Sequence, residues 1–143
     1  MSRVLAIDYG KKRTGLAVTD PLRIIASPLE TVPTAALMDW LTRYFAKEEV
    51  ETVVLGYPRQ MSGEESESMQ YIKPFVTLFQ TRFPGKELVL YDERFTSVLA
   101  HRAMIDGGMK KMQRRDKTVV DKLAACIILE DYIQSSSTNQ PSA

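Results

Sequence analysis

The sequence predicts an α/β domain: a mixed central β-sheet with helices packed on both faces. Three observations carry this. The runs "VLAI", "TVVL" and "LVLY" are apolar at successive rather than alternate positions, as strands covered on two sides are. After an opening hairpin and a third strand, helical and strand patterns alternate along the chain. The 143 residues, 44% apolar and 26% charged, suit a single domain with a core of its own.

Taken in order, residues 3–9 and 14–19 read as two short strands. Gly10 to Arg13 join them as a hairpin, with Gly10 free to adopt positive φ. "RIIASPLETV" reads as a third, broken strand, which Pro28 excludes from a central position. Thr34 is placed to cap a helix running to about residue 48, with Leu37, Leu41, Tyr44 and Phe45 on its apolar face. "ETVVLGYP" is the next strand, ended by Pro58 and followed by the loop "RQMSGEE". A second helix buries Met69, Ile72, Val76 and Phe79, with Pro74 predicting a kink or a late start. The turn "FPGK" leads to the strand "ELVLYDER" and then to a short helix, "TSVLAHRAMID", stopped by Gly107 and Gly108. "TVVDKLAACIILEDYI" is a strongly apolar final helix. The domain is expected to span residues 1–134, with 135–143 a disordered polar tail.

Composition narrows the function. The net charge is +1, so attraction to nucleic acid has to come from local clusters. The single cysteine, Cys126, excludes an intrachain disulfide and a cysteine metal cluster, and fits a reducing compartment. The first apolar run breaks at Asp8, too early for a signal peptide, and no run reaches membrane-spanning length. The expected location is the cytoplasm.

Acids stand where hydrophobic elements begin or end. Asp8 ends the first strand, Asp92 and Glu93 end "ELVLYDER", and Asp121 lies near the start of the final helix. If the strands of Asp8 and Glu93 are parallel neighbours, their carboxylates emerge at one sheet edge, where the final helix could bring Asp121. Clustered carboxylates repel unless a cation compensates them, and hard oxygen donors suit Mg²⁺ or Mn²⁺. Two such ions can stabilise the attacking and leaving oxygens of a phosphodiester displacement. Each acid also has a structural reading. Asp8 could accept backbone hydrogen bonds from the hairpin. Asp92 and Glu93 could be surface charges, with Arg94 as partner. "TVVD" matches a capping box in which Asp121 bonds back to the Thr118 backbone.

The motifs "IDYGKKRTGLAVTD", "LGYPRQMSG", "YDERFTS" and "VVDKLAACIILEDYI" resemble, in order and spacing, those of the YqgF/RuvX family. That family is associated with Holliday junction resolution and with maturation of the 5′ end of pre-16S rRNA. The matching residues are Asp8, Gly10, Arg13, Gly15, Ala17 and Asp20, then Gly56, Pro58 and Gly63, then Asp92, Glu93, Arg94 and Thr96, and finally Asp121, Ala124 and Ala125. Tyr57, Ser62 and Ser97 depart from the pattern; Ser62 replaces the usual loop Asp. The resemblance implies a ribonuclease H-like fold, with Asp8, Glu93 and Asp121 as metal-binding catalytic acids for two Mg²⁺ or Mn²⁺ ions. It also implies that Gly15, Ala17, Ala124 and Ala125 let the last helix approach the sheet.

Nucleic acid is the expected partner, as an RNA precursor or branched DNA. Lys11, Lys12 and Arg13 stand at the hairpin. Lys110, Lys111, Arg114, Arg115 and Lys117 form a basic run after two glycines, suited to phosphate contact. The expected oligomeric state is a monomer or weak dimer. His101, Cys126 and Trp40 read as packing or surface residues. The expected function is metal-dependent phosphodiester hydrolysis; the alternative is a nucleic-acid binding module of the same fold with little activity. A sugar-kinase or actin-like ATPase would need a longer chain.

Overall fold

The computed structural model describes residues 2–57, 69–92 and 117–139. Strands β1 (Arg3–Tyr9), β2 (Arg13–Thr19) and β3 (Ala26–Pro33) are followed by a 3₁₀ turn (Thr34–Ala36) and helix α1 (Leu37–Lys47). Then come β4 (Val50–Tyr57), α2 (Met69–Arg82), β5 (Glu87–Asp92) and α3 (Lys117–Asn139). The strands form one sheet in the order β3-β2-β1-β4-β5. β1 is antiparallel to β2 and β2 to β3, while β1, β4 and β5 run parallel.

Alternation along each strand builds two cores. Leu5, Ile7, Leu16, Val18, Val53 and Leu55 face α1 and α2, where they meet Leu37, Leu41, Ile72, Phe75 and Phe79. Val4, Ala6, Ala17 and Val54 point the other way, onto Ala124, Ala125, Ile128 and Leu129 of α3. The first face carries the bulk and the second the small side chains, so α3 approaches the sheet closely. The runs "VLAI" and "TVVL" are therefore central strands serving both cores, as the sequence predicts, whereas "LVLY" lies in β5 at the end of the described sheet, where Leu90 is 49% exposed. Among the described residues, no helix is long and apolar enough to cross a membrane.

Pro28 lies on the edge strand β3, at a register shift opposite Leu16 and Ala17, as expected of a residue without an N–H. The strand is shorter than its apolar pattern suggests, because Ile24 and Ile25 belong to a loop organised by Asp20. Its carboxylate accepts the N–H groups of Leu22, Ile24 and Ile25 at 3.1, 2.9 and 2.7 Å, while Arg23 adopts a φ of 61°. The bond from Ile25 is the largest of the backbone interactions that lower the Asp20 pKa. This contribution to stability is present above the unfolded carboxylate's range and is lost as pH falls through the lowered folded value.

The role of Thr34 and the end of the last helix differ from expectation, and Pro74 lies within its helix. Thr34 makes no capping bond to the helix it precedes. Helix α2 runs through Pro74 from Met69, so proline falls in the second turn and costs one intrahelical bond. Helix α3 continues to Asn139, past the tail boundary expected at residue 134. The hydroxyl of Ser135 bonds that of Tyr91 at 2.9 Å, fastening the extension to β5. The loop 58–65 and the short helix expected after β5 lie outside the described residues, as do 140–143.

Cys126 is buried against the sheet, as its reading as a core residue predicts. Burial, with Glu130 beside it, raises its thiol pKa to about 11. Because the raised value favours the neutral form in the folded state, this group's contribution to stability is lost as pH rises from about 9 towards 11. A thiol reagent at pH 8 is expected to label denatured protein rapidly and native protein slowly. Equal labelling rates would show that the thiol is accessible.

Candidate active site

Because β1, β4 and β5 are parallel, their C-terminal ends share one edge of the sheet. Asp8 lies at that edge, half-buried. Val4 and Ala6, of the same parity in β1, pack on α3, which places Asp8 on the α3 face. Its in-register neighbours are Gly15 on β2 and Gly56 on β4. Neither contributes a side chain, so the carboxylate is not walled in by the adjacent strands.

Asp121 arrives from the other end of the sequence. Helix α3 lies against β2 so tightly that a Cβ at Gly15 would collide with the Asp121 carbonyl and stand 2.9 Å from the Lys122 nitrogen. Asp8 pairs with that same glycine across the strands, one strand spacing away, about 5 Å. Gly15 is thus the common neighbour of both acids. Ala17, Ala124 and Ala125, all fully buried, continue the contact along the helix.

The side chain of Asp121 turns to the sheet hairpin. Its Oδ2 accepts a hydrogen bond from Arg13 Nε at 3.0 Å. The capping-box alternative required Thr118 to precede the helix, but α3 begins at Lys117, which puts Thr118 inside the first turn. The bond ties the start of β2 to the Asp121 carboxylate of α3. With the pair 38% and 24% exposed, its net stabilisation is about 1 kcal/mol or less. One of the five guanidinium donors is used by this bond.

The arrangement of β5 differs from the simplest expectation. It is parallel to β1 but not adjacent: β4 lies between, so the two strands are separated by two spacings, about 10 Å. At the level of Asp8 the intervening residue is Gly56, in register with Tyr91 of β5. Tyr91 belongs to the α3 side of the sheet. Glu93 lies outside the described residues, as do Lys110, Lys111, Arg114 and Arg115 and the side chain of Lys117. Among the described residues no group of three His, Cys, Asp or Glu could hold a metal; Asp8 and Asp121 are two of the three acids expected to do so. Lys11 and Lys12 are exposed at the hairpin tip. Gly10 does not adopt the positive φ expected of it. Glycine is required there because a Cβ would collide with the Arg13 carbonyl. Trp40 is a packing residue, stacked on Tyr44 with its ring N–H donated to Glu30.

A family model described as "RuvX: Holliday junction resolvase" matches residues 2–135. Proteins named "Putative pre-16S rRNA nuclease" from Phocaeicola vulgatus and Porphyromonas gingivalis are 55% and 54% identical over 135 residues. Those matches cover 94% of this chain and 97% and 98% of the respective relatives. Among solved structures, the chain is similar to one described as "T. thermophilus RuvC in complex with Holliday junction substrate", with a TM-score of 0.55 and 18% identity. That likeness covers 96% of this chain and 98% of the other, and it is a likeness of fold, of the ribonuclease H-like class.

Proposed function

Since the chain belongs to the RuvX family, we propose that it is a nuclease that hydrolyses phosphodiester bonds with divalent cations held by Asp8, Glu93 and Asp121. The observation that carries this reading is that Asp8 and Asp121 both neighbour Gly15, Asp8 across the strands and the Asp121 backbone above it on α3. The donor set fits a hard divalent cation in kind: oxygen ligands on a half-buried face, with neighbouring glycines leaving room. Glu93, which stands in the family-like motif "YDERFTS", is the third ligand of this reading.

When bound, one or two Mg²⁺ or Mn²⁺ ions offset the repulsion among the acids and stabilise charge on the attacking and leaving oxygens. The chain's own residues do the rest. Asp8 is held by β1 and its register with β2 and β4. Asp121 is aimed by Arg13. Lys11 and Lys12 at the exposed turn, with Lys110, Lys111, Arg114, Arg115 and Lys117, contact phosphates flanking the scissile one. The names borne by the relatives favour an RNA precursor as substrate, specifically the 5′ end of pre-16S rRNA, over a four-way DNA junction, which the family description favours. The chain acts in the cytoplasm, where both substrates occur.

The test is a cleavage assay on a pre-16S RNA fragment and a four-way DNA junction, with Mg²⁺, with Mn²⁺ and with EDTA. Divalent-dependent cleavage of the RNA, faster than that of the junction, is the expected result. Binding to both substrates with no cleavage under any condition would make the protein a binding module of nuclease ancestry.

A further inference from the structure

The residue that sequence patterning assigns to helix capping is used elsewhere. Thr34 Oγ1 donates to the carbonyl of Gly10 at 2.6 Å. The same oxygen lies 2.9 Å from Thr14 Oγ1. A hydroxyl has one proton to donate, and that of Thr34 is given to Gly10, so Thr14 is the donor in the second bond. The result is a directed chain, Thr14 hydroxyl to Thr34 hydroxyl to Gly10 carbonyl. The Thr34 backbone N–H adds a bond to Lys12 O at 3.0 Å. One residue at the end of β3 therefore holds both sides of the turn that carries Lys11, Lys12 and Arg13. Thr14 is fully buried, so its hydroxyl depends on this acceptor.

We propose that Thr34 is a positioning residue for nucleic-acid binding, acting by fixing the β1–β2 turn through Gly10 so that its basic side chains meet the phosphate backbone already ordered. The inference rests on the proposed nucleic-acid interface at that turn. Ordering a loop at the moment of binding weakens affinity without changing which groups touch the ligand. A loosened clamp therefore has its own signature. The dissociation constant rises while the salt dependence, which counts phosphate contacts, stays the same.

Thr34→Val alone strands the buried Thr14 hydroxyl and could unfold the protein. The double variant Thr14→Val/Thr34→Val replaces both hydroxyls with groups of the same shape and leaves only the half-buried Gly10 carbonyl, at a turn water can reach, without its donor, a smaller loss for folding than a stranded buried hydroxyl. Binding of a labelled four-way DNA junction is measured in EDTA, across a salt series, with thermal melting on the same samples. The double variant is expected to melt near wild type and to bind about fivefold more weakly, the order set by immobilising one or two side chains. Its salt slope should be unchanged, and Thr34→Ser should bind as wild type does. Wild-type affinity in the folded double variant overturns the clamp. Lys11→Gln/Lys12→Gln tests the premise separately and should lower the slope by about 0.9 per lost duplex phosphate contact. If that variant binds as wild type does, the turn is not an interface and both readings fall; if it weakens binding while the double valine variant does not, only the clamp falls.

Discussion

Gly15→Ala is expected to separate α3 from the sheet and remove activity together with stability. The added methyl meets the Asp121 carbonyl and the Lys122 nitrogen, which are backbone atoms of a helix and cannot rotate aside. Overpacking of this kind costs about 3 kcal/mol. The displacement is felt where Asp121 is anchored, and a misplacement of about 1 Å at a catalytic group is enough to reduce turnover about a hundredfold. Melting and cleavage measured together check this. Gly85→Ala is the control, since a Cβ at Gly85 meets nothing within 4 Å. A Gly15→Ala protein with wild-type melting and turnover would mean that the close approach of α3 is not needed for the site.

The second large effect is chemical. Asp8→Asn keeps the shape of the side chain and removes a negative charge from an edge shared with Asp121. Folding is expected to be unchanged or slightly improved through relieved repulsion. Divalent-dependent cleavage is expected to fall by about a thousandfold or more, because a neutral amide is a poor ligand for a hard cation. Asp121→Asn should lose activity similarly but also release Arg13 from its ion pair, at a cost of about 1 kcal/mol or less given the pair's exposure. Folded Asp8→Asn protein that cuts at the wild-type rate would remove Asp8 from the mechanism. Protein that is unfolded at room temperature would make Asp8 a structural residue.

The two cores were legible because strand alternation is local. "VLAI" presents Leu5 and Ile7 to one side and Val4 and Ala6 to the other whatever the strand order. The close approach at Gly15, Ala17, Ala124 and Ala125 was legible through the family resemblance. Strand order itself is not a local property. The intervention of β4 between β1 and β5 follows from the crossover connections, and it makes Gly56 part of the site, a residue that the family-like motif "LGYPRQMSG" marks but the apolar pattern of β4 does not. Thr34 was misread because a hydroxyl ahead of an apolar helix has the pattern of a cap. What outcompetes capping is a carbonyl 24 residues earlier in the chain. The Arg13–Asp121 bond, spanning 108 residues, is likewise visible only once α3 is seen lying across β2.

That span has a consequence for the protein's synthesis. Residue 8 leaves the ribosome early and residue 121 late. At about 5–20 residues per second, the 108 residues between Arg13 and Asp121 take roughly 5 to 20 s to make. Throughout that interval the emerging chain carries its basic turn and its first carboxylate, but not the helix that supplies the second. Until residue 121 and the helix that follows it are made, the chain therefore lacks both the second carboxylate and the side chains that cover the second face of the sheet.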